Sequence, residues 1–263
     1  MDDDLLRERH GAPRHGVDRQ LAWSLAFVAG AINAGGFLAV QTYTSHVTGP
    51  ISRAADELAL GRVTPALAAL GMVACFLAGA FASGVLVHAG RALRLRSRYA
   101  LALAIEALLL LVFGAFGASL QQHRELVLPA TVVLLCFLMG MHNAIVTHIS
   151  SAVVRTTHMT GIVTDIGIGL ANLAFRPRNA HEVDDAARRR ARLKLHALIL
   201  ASFFVGGIAG ALGFKHVGYA MTFVLAFFLV LLAVRPIWLD IRLRSRHARR
   251  RRASAANGPR RAA

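Results

Sequence analysis

Two histidines stand in matching six-residue segments, each with hydroxyl side chains on both sides and a glycine at its end. Residues 44–49 read TSHVTG and residues 156–161 read TTHMTG. An imidazole gains or loses a proton near neutral pH and also ligates transition metals, so His46 and His158 are candidates for either chemistry. The alternative for each histidine is structural, with the ring hydrogen-bonded to backbone groups of its own loop. The spacing alone does not decide between these roles.

Both segments follow an apolar stretch that carries an asparagine at a matching place. Three residues recur 110 positions apart, with Gly30, Asn33 and Ala34 returning as Gly140, Asn143 and Ala144. The correspondence continues downstream, where Phe76, Gly79 and Tyr99 resemble Phe203, Gly206 and Tyr219. The chain therefore contains two related halves, and a duplicated membrane unit is typical of transporters.

Polar groups inside apolar segments are the other candidates for chemistry. The Asn33 and Asn143 amides are predicted either to join helices by hydrogen bonds in a closely packed seam or to contact a substrate. Glu106 is the only carboxylate deep in an apolar segment, so it is the candidate for ion coupling unless it lies near enough to the membrane surface to stay hydrated. Asp165 is the second acidic candidate, although a helix N-terminus favours a negative charge at that position in any case.

The predicted solute site combines the amides with the two histidine segments. Its candidate residues are Asn33, Ser45, His46, Thr48, Gly49, His142, Asn143, Thr157, His158, Thr160, Gly161 and Asp165. No metal site is predicted, because His142 and His148 are six residues apart and do not share a helical face. No cofactor is predicted either.

Six segments are long and apolar enough to position these residues within a membrane. Hydrophobic residues make up 56% of the 263 residues and charged residues 17%. A hydrocarbon core of about 30 Å needs about 20 mostly apolar residues for each helical crossing. The segments that meet this requirement run approximately over 21–41, 65–88, 99–120, 126–148, 195–213 and 217–234. We therefore expect an all-α membrane protein.

The basic residues predict the orientation of these segments. If successive segments alternate in direction, all but four of the 30 lysines and arginines lie on one side, the exceptions being Arg53, Arg62, Arg124 and Lys215. Basic residues are enriched in the cytoplasmic loops of membrane proteins. Both termini are therefore predicted to be cytoplasmic.

Each half contributes three crossings, and an odd number places the second half upside down relative to the first. The predicted fold is thus two inverted three-helix repeats, about 21–120 and 126–238, within a single membrane domain over 21–240. A cytoplasmic N-terminal segment, 1–20, precedes this domain. A basic tail, 241–263, follows it and is predicted to be disordered.

Each Thr-Gly pair opens a further helical segment, at 50–61 in the first half and 162–175 in the second. Twelve to fourteen residues at about 1.5 Å rise are too short to cross a membrane comfortably. We interpret both as half-helices that lie at the interface or dip into the protein. Thr48 and Thr160 are predicted to be their N-caps.

With these motifs in place, the chain resembles the YoaK-like family of bacterial integral membrane proteins, a domain of unknown function. The resemblance rests on AGAINAGGF at 29–37 before TSHVTG, and on MHNA at 141–144 before RTTHMTG and TDIG. It implies a multi-pass protein of the bacterial cytoplasmic (inner) membrane and supplies no substrate. Many members carry Asp at the position of Asn33, so proton coupling by residue 33 is not expected in this chain.

Two functions remain open from the sequence. The first is a permease-like transporter that moves a small polar or anionic solute between inverted halves. The alternative is a non-transporting scaffold or sensor that acts through its basic tail. An enzyme is not expected, because no catalytic spacing of Ser and His or of paired Asp is present. The expected partners are the lipid bilayer and a small solute, not nucleic acid, and a homo-oligomer stays open.

Overall fold

The computed structural model describes residues 17–92, 99–119, 123–149, 157–174 and 180–234. Within these ranges all regular structure is helical, and no strand occurs. The all-α prediction is confirmed for this part of the chain. The predictions for residues 1–16 and for the basic tail over 241–263 lie outside the described residues.

Eight helices make up the described chain. They are α1 Val17–Val40, α2 Thr48–Ala59, α3 Val63–Ala92, α4 Ala100–Ser119, α5 Arg124–Ile149, α6 Met159–Leu173, α7 Ala180–Val217 and α8 over 221–234, with a 3₁₀ turn at Gly218–Ala220 before α8. Five stretches are long and apolar enough to cross a membrane: Gln20–Val40, Val63–Gly90, Ala100–Ser119, Val127–His148 and Ala186–Val234.

The last of these stretches, 49 residues long, folds back on itself at Gly218, whose φ is +67°. Phe27 of α1 reaches both arms of the hairpin. Its carbonyl group packs against Gly206 of α7, and its ring lies 6.4 Å from the ring of Phe228 in α8. In a straight helix, residues 206 and 228 are about 33 Å apart. The five stretches therefore contain the six segments predicted from the sequence.

The outer surface of the bundle is apolar. The exposed fraction is 72% for Phe81 on α3, 67% for Phe204 on α7 and 67% for Phe223 on α8. Large apolar side chains are instead buried in the middle of the bundle, among them Leu25, Ile32, Phe113, Leu135 and Met139. Soluble proteins rarely expose so much contiguous apolar surface, whereas lipid tails accept it.

The most extensive helix contacts cross from one half of the sequence to the other. Helix α1 packs against α7, and α5 packs against α3. Both crossings use a Phe-x-x-Gly segment on each helix, namely Phe27–Gly30 with Phe203–Gly206 and Phe76–Gly79 with Phe137–Gly140. At each glycine a β-carbon would collide with the carbonyl oxygen of the opposite phenylalanine. Glycine is needed here because only its missing side chain lets the two backbones approach so closely.

Contacts along each crossing set the relative directions of the helices. Gly30 meets Phe203 and Gly35 meets Phe214, so α1 and α7 run parallel. Helices α3 and α5 are also parallel. Phe76 of α3 meets Gly140 of α5, and further along both helices Gly84 meets His148.

Helix α4 is antiparallel to both of its partners. Against α5, the Tyr99 hydroxyl donates to the His148 carbonyl (3.0 Å), while Glu106 contacts His142. Against α8, the close approaches are Gly117 to Tyr219 and Gly114 to Thr222. It follows that α1, α4 and α7 run in one direction, and α3, α5 and α8 run in the other.

The two short helices are confirmed, and both begin two to three residues earlier than predicted. The prediction that Thr48 and Thr160 are N-caps is wrong. The N-caps are Val47 and His158, and neither has a side-chain capping hydrogen bond. Thr48 is the first residue of α2 and Thr160 the second residue of α6, so both threonines lie inside the first helical turn. Helix α2 ends at Ala59, and Gly61, whose φ is +71°, follows its C-cap as glycine commonly does.

Candidate functional site

One asparagine of α5 joins the two histidine segments. The Asn143 side-chain amide donates to the carbonyl oxygen of Ser45 (3.4 Å) and to that of Met139 (2.9 Å). Its Oδ1 accepts a hydrogen bond from the Thr157 hydroxyl. Ser45 belongs to the first histidine segment and Thr157 to the second. We call Ser45, Asn143 and Thr157 the amide clasp.

The clasp is partly enclosed by the bundle. Asn143, which is half-buried, precedes the end of α5 by six residues, about 9 Å of helix, and Ser45 is buried. The chain returns to this depth because α1 ends at Val40 and the next residue, Gln41, redirects the backbone with a φ of +55°. Tyr43 then stacks on Phe37, with ring centroids 4.6 Å apart, and holds the returning loop against α1.

Two helix N-termini begin beside the clasp. Helix α2 starts three residues after Ser45, and α6 starts two residues after Thr157. The first N–H groups of a helix have no partner within the helix, and they carry the positive end of its dipole. No capping side chain satisfies them at either start. The clasp is therefore bordered by two sets of N–H donors that suit an anionic or polar group.

The two histidines have the same local geometry. Each ring lies over the first turn of the helix that follows it, against the glycine three residues later. A β-carbon on Gly49 would lie 3.0 Å from Cε1 of His46, and one on Gly161 would lie 2.6 Å from Nδ1 of His158. The His-x-x-Gly spacing thus gives the ring room to lie over the helix start. Both imidazoles are exposed.

The threonines beside these rings, Thr48 and Thr160, are exposed as well. Together with the histidines they surround the uncapped N–H groups. These four side chains and the clasp are the predicted site residues that the fold places around the two helix starts.

A second buried polar contact lies next to the clasp along α5. Nδ1 of His142 is 2.6 Å from Oε1 of Glu106, and both side chains are 0% exposed. Glu106 is therefore buried and not hydrated at the surface. The outward atoms of the pair, Glu106 Oε2 and His142 Nε2, have no hydrogen-bond partner. Sequence analysis singled out both residues but not their contact, since they lie on different helices.

The other two candidates lie apart from the clasp hydrogen bonds. Asn33 occupies on α1 the place that Asn143 occupies on α5, but its buried Oδ1 has no partner. The Asp165 side chain on α6 is 51% exposed, and its Oδ2 is 3.8 Å from Nδ1 of the buried His196. Sequence analysis missed His196. It could have been found as an ionisable residue at the start of a predicted crossing, where such residues are uncommon.

Two apolar cavities flank the bundle at equivalent positions of the two halves. One, of 360 Å³, is lined by residues that include Gly35, Leu38, Ala211 and Tyr219. The other, of 620 Å³, is lined by residues that include Phe81, Gly84 and His88. Neither is lined by clasp residues. Among the described residues, no three His, Cys, Asp or Glu side chains are placed to hold a metal ion.

Comparison with known proteins places the chain in a family. No curated protein and no solved structure matches it. The family described as "Protein of unknown function (DUF1275)" matches residues 21–235. This range includes both histidine segments, the amide clasp and the Glu106–His142 contact, and the YoaK-like resemblance is consistent with it. The chain belongs to this family of uncharacterised proteins, DUF1275.

Proposed function

We propose that this protein is a permease that carries a small polar or anionic solute across the membrane, with its solute site at the amide clasp. The observation that carries the proposal is the Asn143 side chain, which hydrogen-bonds to both histidine segments at once. A group that binds at this point contacts both halves of the duplication. Transporters built from repeats place their substrate at such a junction.

We further propose that the two halves are inverted repeats. Support comes from the helix directions, because α1 and its counterpart α5 run oppositely, as do α3 and α7, and α4 and α8. An inverted repeat presents the same local structure to each side of the membrane, which is the basis of alternating access.

The donors around the clasp favour an anionic or strongly polar solute. The uncapped N–H groups of α2 and α6 donate to its oxygen atoms, and the exposed hydroxyls of Thr48 and Thr160 add further donors. A solute oxygen that accepts a hydrogen bond from the Asn143 amide competes with the Ser45 carbonyl oxygen. Solute binding thereby releases the first histidine segment from α5 and couples occupancy to movement of the loops.

The moving bodies in this proposal are not the two halves of the sequence. Because α1 packs tightly against α7 and α5 against α3, each body contains helices of both halves. We expect the α1–α7 and α3–α5 pairs to move as units. The clasp lies between them, with Ser45 following α1 and Asn143 on α5.

Uptake into proteoliposomes tests the proposal. The purified full chain is reconstituted and assayed with a panel of small carboxylates, phosphates and neutral polar solutes. The variants are the His46→Ala, His158→Ala double substitution and Thr157→Val, with His216→Ala as the matched control at an exposed histidine near the end of α7. Each lost hydrogen bond is worth about 1 kcal/mol, so we expect uptake to fall by about fivefold or more in the first two and to stay unchanged in the control.

Two results would contradict the proposal at different levels. Equal uptake by the double variant and the wild type across the panel would remove the histidines from the site. Failure of the folded wild type to move any solute in the panel would oppose transport itself.

A further inference from the structure

We infer that the Glu106–His142 pair is a proton-binding site that couples solute movement to a proton. This inference rests on the proposed permease function and assigns the pair a part in it. Its basis is a fully buried carboxyl–imidazole contact of 2.6 Å, in which one atom of each side chain lacks a partner.

The place equivalent to this pair, formed by α1 and α8, is filled without ionisable groups. The Tyr99–Tyr219 correspondence makes Ala226 the counterpart of Glu106, and the Gly30–Gly140 correspondence makes Ile32 the counterpart of His142. Ala226 and Ile32 are also buried, at 4% and 0% exposure.

The packing of these counterparts agrees with the alignment. Tyr99 reaches the carbonyl of His148 at the end of α5, and its counterpart Tyr219 lines one cavity with Leu38, the counterpart of His148. The architecture therefore accepts two apolar residues, one on α1 and one on α8, where α5 and α4 carry an imidazole and an acid. The polar pair is not a requirement of the fold.

Stability of the fold does not explain why this ionisable pair is buried. A buried ion pair is often no more stable than the hydrophobic residues that replace it. Two enclosed atoms without partners, Glu106 Oε2 and His142 Nε2, add a further penalty. Ionisable groups inside membrane helices are for this reason associated with ion pathways and proton relays.

A proton is the ligand that matches the geometry. With one proton between Nδ1 and Oε1 and none on Nε2, the pair carries one negative charge, and a second proton makes it neutral. An anion nearby favours the neutral form, and the loss of that anion favours release of the proton. Asn143 follows His142 directly on α5, so a solute at the clasp lies beside the pair. Proton uptake and anion binding therefore favour each other.

Few other ionisable residues stand on the helices packed against the pair. Asp18, Arg19, Arg91 and Arg124 belong to the first or last three residues of their helices. Among the described side chains the others are His88, Glu125 and His148 toward helix ends, the thiols Cys75 and Cys136, and Tyr99 and Tyr219 at turns. Helix α8 carries none.

The first test reads protonation directly and needs no solute. Infrared difference spectra between acidic and neutral pH are recorded for the full chain in liposomes. Glu106→Gln keeps the shape of the side chain and removes its ionisable carboxyl, and the Glu106→Ala, His142→Ile double substitution copies the counterparts Ala226 and Ile32. We expect a protonated-carboxyl band in the wild type that is absent from both variants. Identical spectra for wild type and Glu106→Gln would overturn the inference.

The second test separates this inference from the proposed function. A gradient of one pH unit supports about tenfold accumulation for each coupled proton. We expect wild-type liposomes to accumulate an anionic solute of the panel in response to the gradient, and Glu106→Gln to lose this response while still equilibrating the solute. Gradient-driven accumulation by Glu106→Gln would overturn the proton site and leave the permease standing. A titrating band without any solute movement would support the proton site and contradict the permease.

Discussion

The two halves of the molecule agree in their packing and differ in their polar chemistry. Both contribute Phe-x-x-Gly segments to equivalent helix crossings, with the same backbone contacts. At the centre, Asn143 makes hydrogen bonds to both histidine segments, whereas the Oδ1 of its counterpart Asn33 has no partner. Glu106 and His142 form a buried pair, and their counterparts, Ala226 and Ile32, are apolar.

This difference shows which part of the duplication the fold requires. A glycine in backbone contact accepts no other residue without moving a helix, so the crossings must match in both halves. A side chain that faces the centre can change more freely if the cavity is refilled. The asymmetric polar groups are therefore the better guide to function, and the symmetric glycines are the better guide to stability.

The largest expected effect comes from breaking the buried pair on one side only. Glu106→Ala leaves His142 enclosed without its partner, and we expect the free energy of unfolding to fall by about 3 kcal/mol. Adding His142→Ile copies the apolar counterparts Ile32 and Ala226 and should recover most of this loss. Thermal unfolding in detergent measures both variants. Equal stability of the single and double variants would contradict the comparison.

The glycine crossings should respond alike in both halves. Gly30→Ala and Gly140→Ala each place a methyl group against a phenylalanine carbonyl oxygen, and we expect each to lower stability by about 1–3 kcal/mol. Gly71→Ala on α3 is the matched control, since no atom lies within 4 Å of its added β-carbon. The control should be neutral or slightly stabilising. Melting temperatures provide the measurement, and a neutral Gly30→Ala would mean that the α1–α7 crossing is loose.

The two asparagines should separate stability from function. Asn143→Ala removes the hydrogen bonds to Ser45 and Thr157 and should cost about 2 kcal/mol of stability. Asn33→Ala removes an oxygen that already lacks a partner, so its stability should change by less than about 1 kcal/mol. If Asn33 contacts the solute, its variant should stay folded and lose uptake. Equal destabilisation of the two variants would oppose the asymmetry.

The smallest effect is expected outside the clasp. Asp165→Asn changes a half-exposed side chain at 3.8 Å from His196, and such pairs contribute less than about 1 kcal/mol. Uptake should stay within about twofold of the wild type. A complete loss of uptake would instead extend the solute site along α6.

Several features of the fold were predictable because they depend on short stretches of sequence. The length and apolar content of the segments identified the crossings. The Thr-Gly pair that opens each short segment identified the two short helices. The helix starts were less predictable. The prediction of N-caps at Thr48 and Thr160 was wrong, because the chain enters each helix from a loop that is held by the clasp and by the ring of the preceding histidine.

The candidate site was predicted as a set of residues but not as an arrangement. Asn143 and Thr157 were named, yet nothing in the spacing indicated that one amide would bind both histidine segments. Glu106 and His142 were named separately for the same reason. Each contact joins parts of the chain that are distant in sequence, so it depends on how α4 and α5 pack.

The sequence by itself determined the membrane-compatible helices, the duplication and the positions of its polar residues, because apolar length and repeated motifs are properties of the chain alone. Only the tertiary structure decided which helices share an interface, which polar groups meet and which atoms lack a partner. Those outcomes depend on backbone approach at four glycines and on the return of a loop into the bundle, and neither is encoded in any single segment.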